Sequence, residues 1–148
     1  MATERLVIGI GNQDRGDDGV GPFVVHGLVC RGVAAITCRG DITELMTLWS
    51  EYANVVVVDA MRAGGPAGQI RRVNPADGPL PVAAYSGSTH AVGLAEAIEL
   101  SRYLGRLPDQ LIVIGIEGRG FDVGGELSPT VRAAGERIIA ELLESGHA

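Results

Sequence analysis

A chain of 148 residues with 46% apolar and 20% charged side chains can bury a core of its own and is too apolar to be disordered. Its formal net charge of -6 argues against nucleic acid or an anionic membrane as a partner, since both call for a basic face. No apolar run approaches the ~20 residues of a membrane span. The segment Met1-Ala2-Thr3-Glu4-Arg5 holds no basic leader before a long apolar stretch, so a cytoplasmic location is expected. Cys30 and Cys38 form no Cys-x-x-Cys pair and are expected to be reduced, half-buried core thiols.

Along the chain, strand-like and helix-like segments alternate. Leu6 to Ile10 is a continuous apolar run that stops at Gly11-Asn12, as in a strand covered on both faces. Pro22 suits the first turn of a helix running through Leu28, and Gly32 suits its end. Val33 to Cys38 reads as a second strand. Ile42 to Trp49 reads as a helix with Asp41 placed to cap it. Val55-Val56-Val57-Val58 is the clearest strand: four β-branched residues without polar alternation imply a central position. Gly68 to Val73 reads as a strand nearer an edge. Asn74 to Thr89, rich in Pro, Gly, Ser and Ala, reads as a long loop. Ala91 to Leu104 is a helix and Gln110 to Ile116 a strand. Pro129 to Leu143 is an amphipathic helix, with Ser128 as its cap. This order predicts a single domain over 1–148: a three-layer α/β/α sandwich with a mainly parallel central sheet.

In such a sheet, ligands bind beyond the carboxyl ends of the strands. Three segments bring polar groups there. Asp17 and Asp18 lie in the glycine-rich loop after the first strand. Asp59 follows the four valines directly. His90 stands where the long loop meets a helix. Each has a structural alternative. Asp59 could cap a turn, one of Asp17 and Asp18 could serve a helix start, and His90 could be a hydrogen-bonded structural histidine. Asp18, Asp59 and His90 together supply two carboxylates and an imidazole with open positions, a set suited to a borderline divalent ion such as Zn²⁺ or Ni²⁺. The Gly9-Ile10-Gly11 start invites a dinucleotide reading, but Asp14 stands where the third glycine belongs, and three aspartates occupy the place of the pyrophosphate. His26, mid-helix, and His147, in the tail, add nothing to the cluster.

The motif Gly9-Ile10-Gly11-Asn12, followed by Asp17-Asp18-Gly19-Val20-Gly21, strongly resembles the opening of the [NiFe]-hydrogenase maturation endopeptidases. The resemblance continues at Asp59-Ala60, Ser88-Thr89-His90-Ala91-Val92-Gly93-Leu94, Gly115-Ile116-Glu117 and Leu127-Ser128-Pro129-Thr130-Val131. It implies a peptidase that removes a C-terminal extension from a hydrogenase large-subunit precursor after nickel insertion. It further implies that Asp18, Asp59 and His90 recognise nickel carried by that substrate rather than a permanent cofactor, with another divalent metal able to bind the isolated protein. The sequence departs from the family pattern at Asp14, where an apolar residue is usual, and at Arg39-Gly40-Asp41-Ile42-Thr43, where the family is rich in Gly and Thr. Two other functions use the same ligand set: a maturation chaperone that recognises the metal centre without cleaving, and a small-molecule metallohydrolase. For the peptidase, water attack is assisted either by a carboxylate acting as general base or by polarisation of the scissile carbonyl by the metal, and Asp17 is a second candidate base or caps the helix. A monomer is expected, because a large protein substrate must reach the cleft.

Overall fold

The structure, a computed structural model, describes residues 4–81 and 89–145. In chain order the elements are β1 (Arg5–Ile10), α1 (Val20–Val29), β2 (Ala35–Cys38), α2 (Ile42–Trp49), β3 (Asn54–Met61), β4 (Ile70–Val73), α3 (Thr89–Tyr103), β5 (Gln110–Glu117) and α4 (Pro129–Ser145). Single 3-10 turns occupy Gly16–Gly19 and Pro75–Asp77. The strands form one sheet in the order β2-β1-β3-β5-β4. All neighbours are parallel except β4, which runs antiparallel to β5 at the edge. Helices α1 and α4 pack together on one face, and α2 and α3 pair on the other. This is the three-layer sandwich that the alternation predicted.

The valine run shows why β3 is central. Val55 and Val57 enter the core beneath α2 and α3, with Leu45, Trp49 and Ile98. Val58 and Ala60 enter the opposite core, with Val24, Ile138 and Leu142. A strand buried on both faces has no polar side to show. Trp49 is almost fully buried, and its indole N–H donates to Ser101 Oγ at 3.2 Å, so the ring fills the core without leaving a donor unpaired.

Two glycines set how closely α1 lies on the sheet. A Cβ at Gly9 would stand 2.4 Å from the Gly21 carbonyl oxygen, and one at Gly21 would stand 2.4 Å from that of Ile10. Gly9 is therefore explained by helix-on-strand packing, and no phosphate is needed to account for it.

Several local expectations are corrected. Asp41 occupies the N-cap position of α2, but its side chain makes no capping bond. The Glu44 carboxylate instead accepts the Arg39 N–H at 3.3 Å, just ahead of the helix. Within the expected long loop, Pro75–Asp77 forms its 3-10 turn, with the Asn74 side chain accepting from Ala76 N–H. Residues 82–88 of that loop lie outside the described residues. The two cysteines differ, because Cys38 is buried at the end of β2 whereas Cys30 is exposed past the end of α1. Among the described residues, no helix is long and apolar enough to cross a membrane.

Candidate active site at the carboxyl edge of the sheet

Asp59 lies near the carboxyl end of β3, opposite Gly115 of β5, and is fully buried. Strand alternation puts it on the same side as Val57 and Met61, the side that α3 covers. The first turn of α3 reaches this edge as well. A Cβ at Gly93 would come within 2.3 Å of the Gly40 carbonyl oxygen, just past β2. His90 is one helical turn earlier, in the first turn of α3, and its side chain lies outside the described residues.

Asp18 arrives from the other helical layer. It sits in the 3-10 turn Gly16–Gly19, which packs against β3 and leads into α1. Asp18 is 5% exposed, and its Oδ2 accepts the Asn12 N–H at 3.0 Å. Gly11, with φ of 144°, permits this approach: a Cβ there would stand 2.0 Å from the Asp18 carbonyl oxygen. Asp18 and Asp59 thus reach one edge from opposite faces of the sheet, and the backbone of His90 joins them there. Among the described residues no group of three metal-ligating side chains is complete, and the His90 side chain of the expected set is outside them.

The adjacent aspartates have different surroundings. Asp17 is fully buried. Its Oδ1 accepts from Ser128 N–H at 2.7 Å, and its Oδ2 accepts from Arg119 N–H at 2.7 Å, Gly120 N–H at 3.1 Å and the Ser128 hydroxyl at 2.7 Å. Asp17 is therefore neither an open base nor the cap of α1: it ties the turn to the segment after β5. Ser128, the expected cap of α4, turns its hydroxyl to Asp17, although its carbonyl accepts the Arg132 N–H. Burial alone would push the Asp17 carboxyl up. The donors of Ser128, Arg119 and Gly120 outweigh that and hold it below the usual carboxylate range. A depressed native value means that this stabilisation is present above the unfolded carboxylate range and is lost as pH falls through the native one. Acid should therefore release the segment after β5 early, seen as faster amide exchange at Arg119 and Gly120. Protection that persists below the native value would contradict this.

Glu117 belongs to the Gly115-Ile116-Glu117 motif of the resemblance, and its sequence pattern assigns it no role. It is 3% exposed and accepts from Ala63 N–H at 2.9 Å and Gly64 N–H at 3.3 Å. The available signal was the one that marked Asp59, an acidic residue closing an apolar strand. Asp14 is exposed, donates its N–H to Asn12 Oδ1 at 2.9 Å, and accepts Gly124 N–H through its carbonyl. Its departure from the apolar pattern therefore leaves the loop backbone fully used. The Cys38 thiol is pushed up to about 12, by burial first and then by Glu44, Asp59 and Asp41, against an opposing backbone bond from Gly40. It stays protonated near neutrality. Alkylation of the native protein should modify Cys30 and spare Cys38, as peptide mass mapping would show; fast labelling of both would contradict the buried placement.

The hydrogenase maturation protease family matches residues 40–145. A hydrogenase expression/formation protein of Thiocapsa roseopersicina is 31% identical over 141 residues, covering 91% of this chain and 62% of its own length. The chain belongs to the hydrogenase maturation protease family. A second relative, the hydrogenase 2 maturation protease of Escherichia coli, is 28% identical, with 95% of this chain and 92% of that protein covered. The crystal structure of a [NiFe] hydrogenase maturation protease from Thermococcus kodakarensis superposes with a TM-score of 0.74 at 25% identity, covering 99% of this chain and 94% of the other. The chain thus spans under two thirds of the Thiocapsa relative and nearly all of the Escherichia coli one. The family is one of peptidases, and its fold is the one described above.

Proposed function

We propose that this protein is the endopeptidase that removes the C-terminal extension of a [NiFe]-hydrogenase large-subunit precursor after nickel insertion. In this reading Asp18, Asp59 and His90 engage the nickel that the substrate carries. The observation that carries it is the burial of two carboxylates, Asp18 and Asp59, at the sheet edge where α3 begins with His90. Buried carboxylates are costly to keep, and two of them gathered at the carboxyl edge of a parallel sheet, where ligands bind, support a reactive role. Two carboxylates and an imidazole form a donor set suited to Ni²⁺.

The metal then acts as a checkpoint, since a precursor without nickel offers no handle. Binding through the nickel fixes the scissile peptide beside the acidic edge, which lowers the entropic barrier to attack. Water adds to the scissile carbonyl carbon and its proton passes to a carboxylate. Collapse of the tetrahedral adduct breaks the C–N bond, and the leaving amine takes up a proton. Asp17 is committed to four donors, and Asp18 and Asp59 are the carboxylates given that role. The same reading has a cytoplasmic monomer whose cleft is open to a large protein.

The test is to incubate the pure protein with a large-subunit precursor, with and without nickel, and to weigh the products. Loss of a C-terminal peptide from the loaded form only is expected. Binding without cleavage of either form would replace the peptidase with a metal-recognising chaperone. Tight metal binding by the isolated protein, with the precursor untouched, would point to a metallohydrolase of small molecules.

A further inference from the structure

The segment 118–128 supplies none of the expected ligands, yet it grips both loops that present the acidic groups. Toward Asp18, it donates to the Asp17 carboxylate from Arg119, Gly120 and Ser128. The backbone adds Asp17 N–H to Gly120 carbonyl at 2.7 Å, Gly16 N–H to Gly125 carbonyl at 3.1 Å and Gly124 N–H to Asp14 carbonyl at 2.7 Å. Toward Asp59, Gly118 N–H donates to the Met61 carbonyl at 3.0 Å, while the preceding Glu117 holds Ala63 and Gly64. The Arg62 guanidinium lies 4.2 Å from the centre of the Phe121 ring, closing the circle between the two loops.

From this arrangement we propose that Asp17 is a positioning residue for Asp18, fixing the 3-10 turn against segment 118–128 so that the Asp18 carboxylate is held before the substrate arrives. The proposal rests on the nickel-recognising role given to Asp18 above. A carboxylate has room for about four donors, and Asp17 has four. Saturation leaves it no freedom to swing and no capacity to compete with Asp18 for a cation. Its neighbour in the 3-10 turn points elsewhere, since successive residues there are rotated by about 120°. A group that must meet a metal centre gains when its support is rigid, because no ordering is left to be done on binding.

The rival is that Asp17 only anchors segment 118–128, with Asp18 held independently through Asn12. The Asn12 N–H separates the two, because it donates to Asp18 Oδ2 and reports directly on whether that carboxylate is in place. The experiment compares the full chain with its Asp17→Asn and Ser128→Ala variants. It follows amide exchange at Asn12 against the core amide of Val57, together with kcat and KM for precursor trimming. In Asp17→Asn, exchange at Asn12 should quicken at least ~10-fold more than at Val57, and kcat/KM should fall at least ~10-fold, with the greater part of the change in KM because Asp18 must be ordered as the nickel binds, the scale typical of removing an outer support of a ligand. Ser128→Ala removes one donor of four and should move both in the same direction by less. If Asp17→Asn does not fold, Ser128→Ala decides by the same comparison. Faster exchange at Arg119 and Gly120 with Asn12 unchanged would overturn the proposal. An equal rise at Asn12 and Val57 would also overturn it, because the effect would then be on global stability. A wild-type protein that does not trim would end the peptidase reading, and Asn12 exchange would still decide whether Asp17 positions Asp18.

Discussion

An Asp59→Asn variant is expected to lose trimming of nickel-loaded precursor by roughly 100-fold or more, the scale on which loss of one directly acting polar group is felt, without any loss of thermal stability. The two halves of this prediction come from the same fact. Asp59 is fully buried near the carboxyl end of β3, directly after four valines. Taking an ionised carboxylate out of water is unfavourable, and the amide keeps the shape while removing the charge. A group retained for stability would be missed on melting; one retained for chemistry would not. The measurement is a melting curve beside a trimming assay on the same preparation. Loss of activity with a melting point lowered by several degrees would make Asp59 a structural carboxylate. Wild-type trimming by the variant would remove it from the reaction altogether.

Asp59 was legible in the sequence because a lone acid at the end of four valines conflicts with its surroundings. Glu117 makes the same signal at the end of β5, but its carboxylate meets the Ala63 and Gly64 N–H groups. Which backbone lies opposite a strand end is a tertiary fact, so the pattern cannot separate a brace from a reacting group. Asp17 and Asp18 make the point more sharply. They are identical neighbours, and only the path of segment 118–128 gives one of them four donors. The sheet itself was readable because strands buried on both faces must be written in continuous apolar residues. Cap chemistry was less so: Asp41 has the right type and place, yet Glu44 bonds the chain ahead of the helix instead. The paired reading of Cys30 and Cys38 failed because one closes an inner-facing edge position and the other lies just past a helix end, a difference that residue type does not encode.

Gly9→Ala and Gly21→Ala should each destabilise the protein by about 3 kcal/mol, near the upper end for overpacking a well-filled site. The effects compete at Gly21, which lies within α1. Alanine there gains up to ~1 kcal/mol of helix propensity. Its Cβ, however, would stand 2.4 Å from the Ile10 carbonyl oxygen, 2.8 Å from that of Val58 and 2.9 Å from the Ile10 nitrogen. All three are backbone atoms of the two central strands, so the helix must move. At Gly9 one of the three nearest atoms is the Val25 Cγ2, which can turn away, but the Gly21 carbonyl cannot. Gly21→Ala is therefore the more damaging. Since both changes push the same helix off the same strand, the first opens space that the second uses. The double variant should fall short of the sum of the singles by about 1 kcal/mol or more, as neighbouring sites that share one displacement do. Denaturant titration of the four proteins measures this. Full additivity would mean that the two positions are relieved separately, and that α1 does not lie on β1 through this contact. The consequence reaches the site, because Asp18 is in the turn that leads directly into α1. Any lift of the helix carries that turn with it, so trimming by the single variants should fall at temperatures where they remain folded.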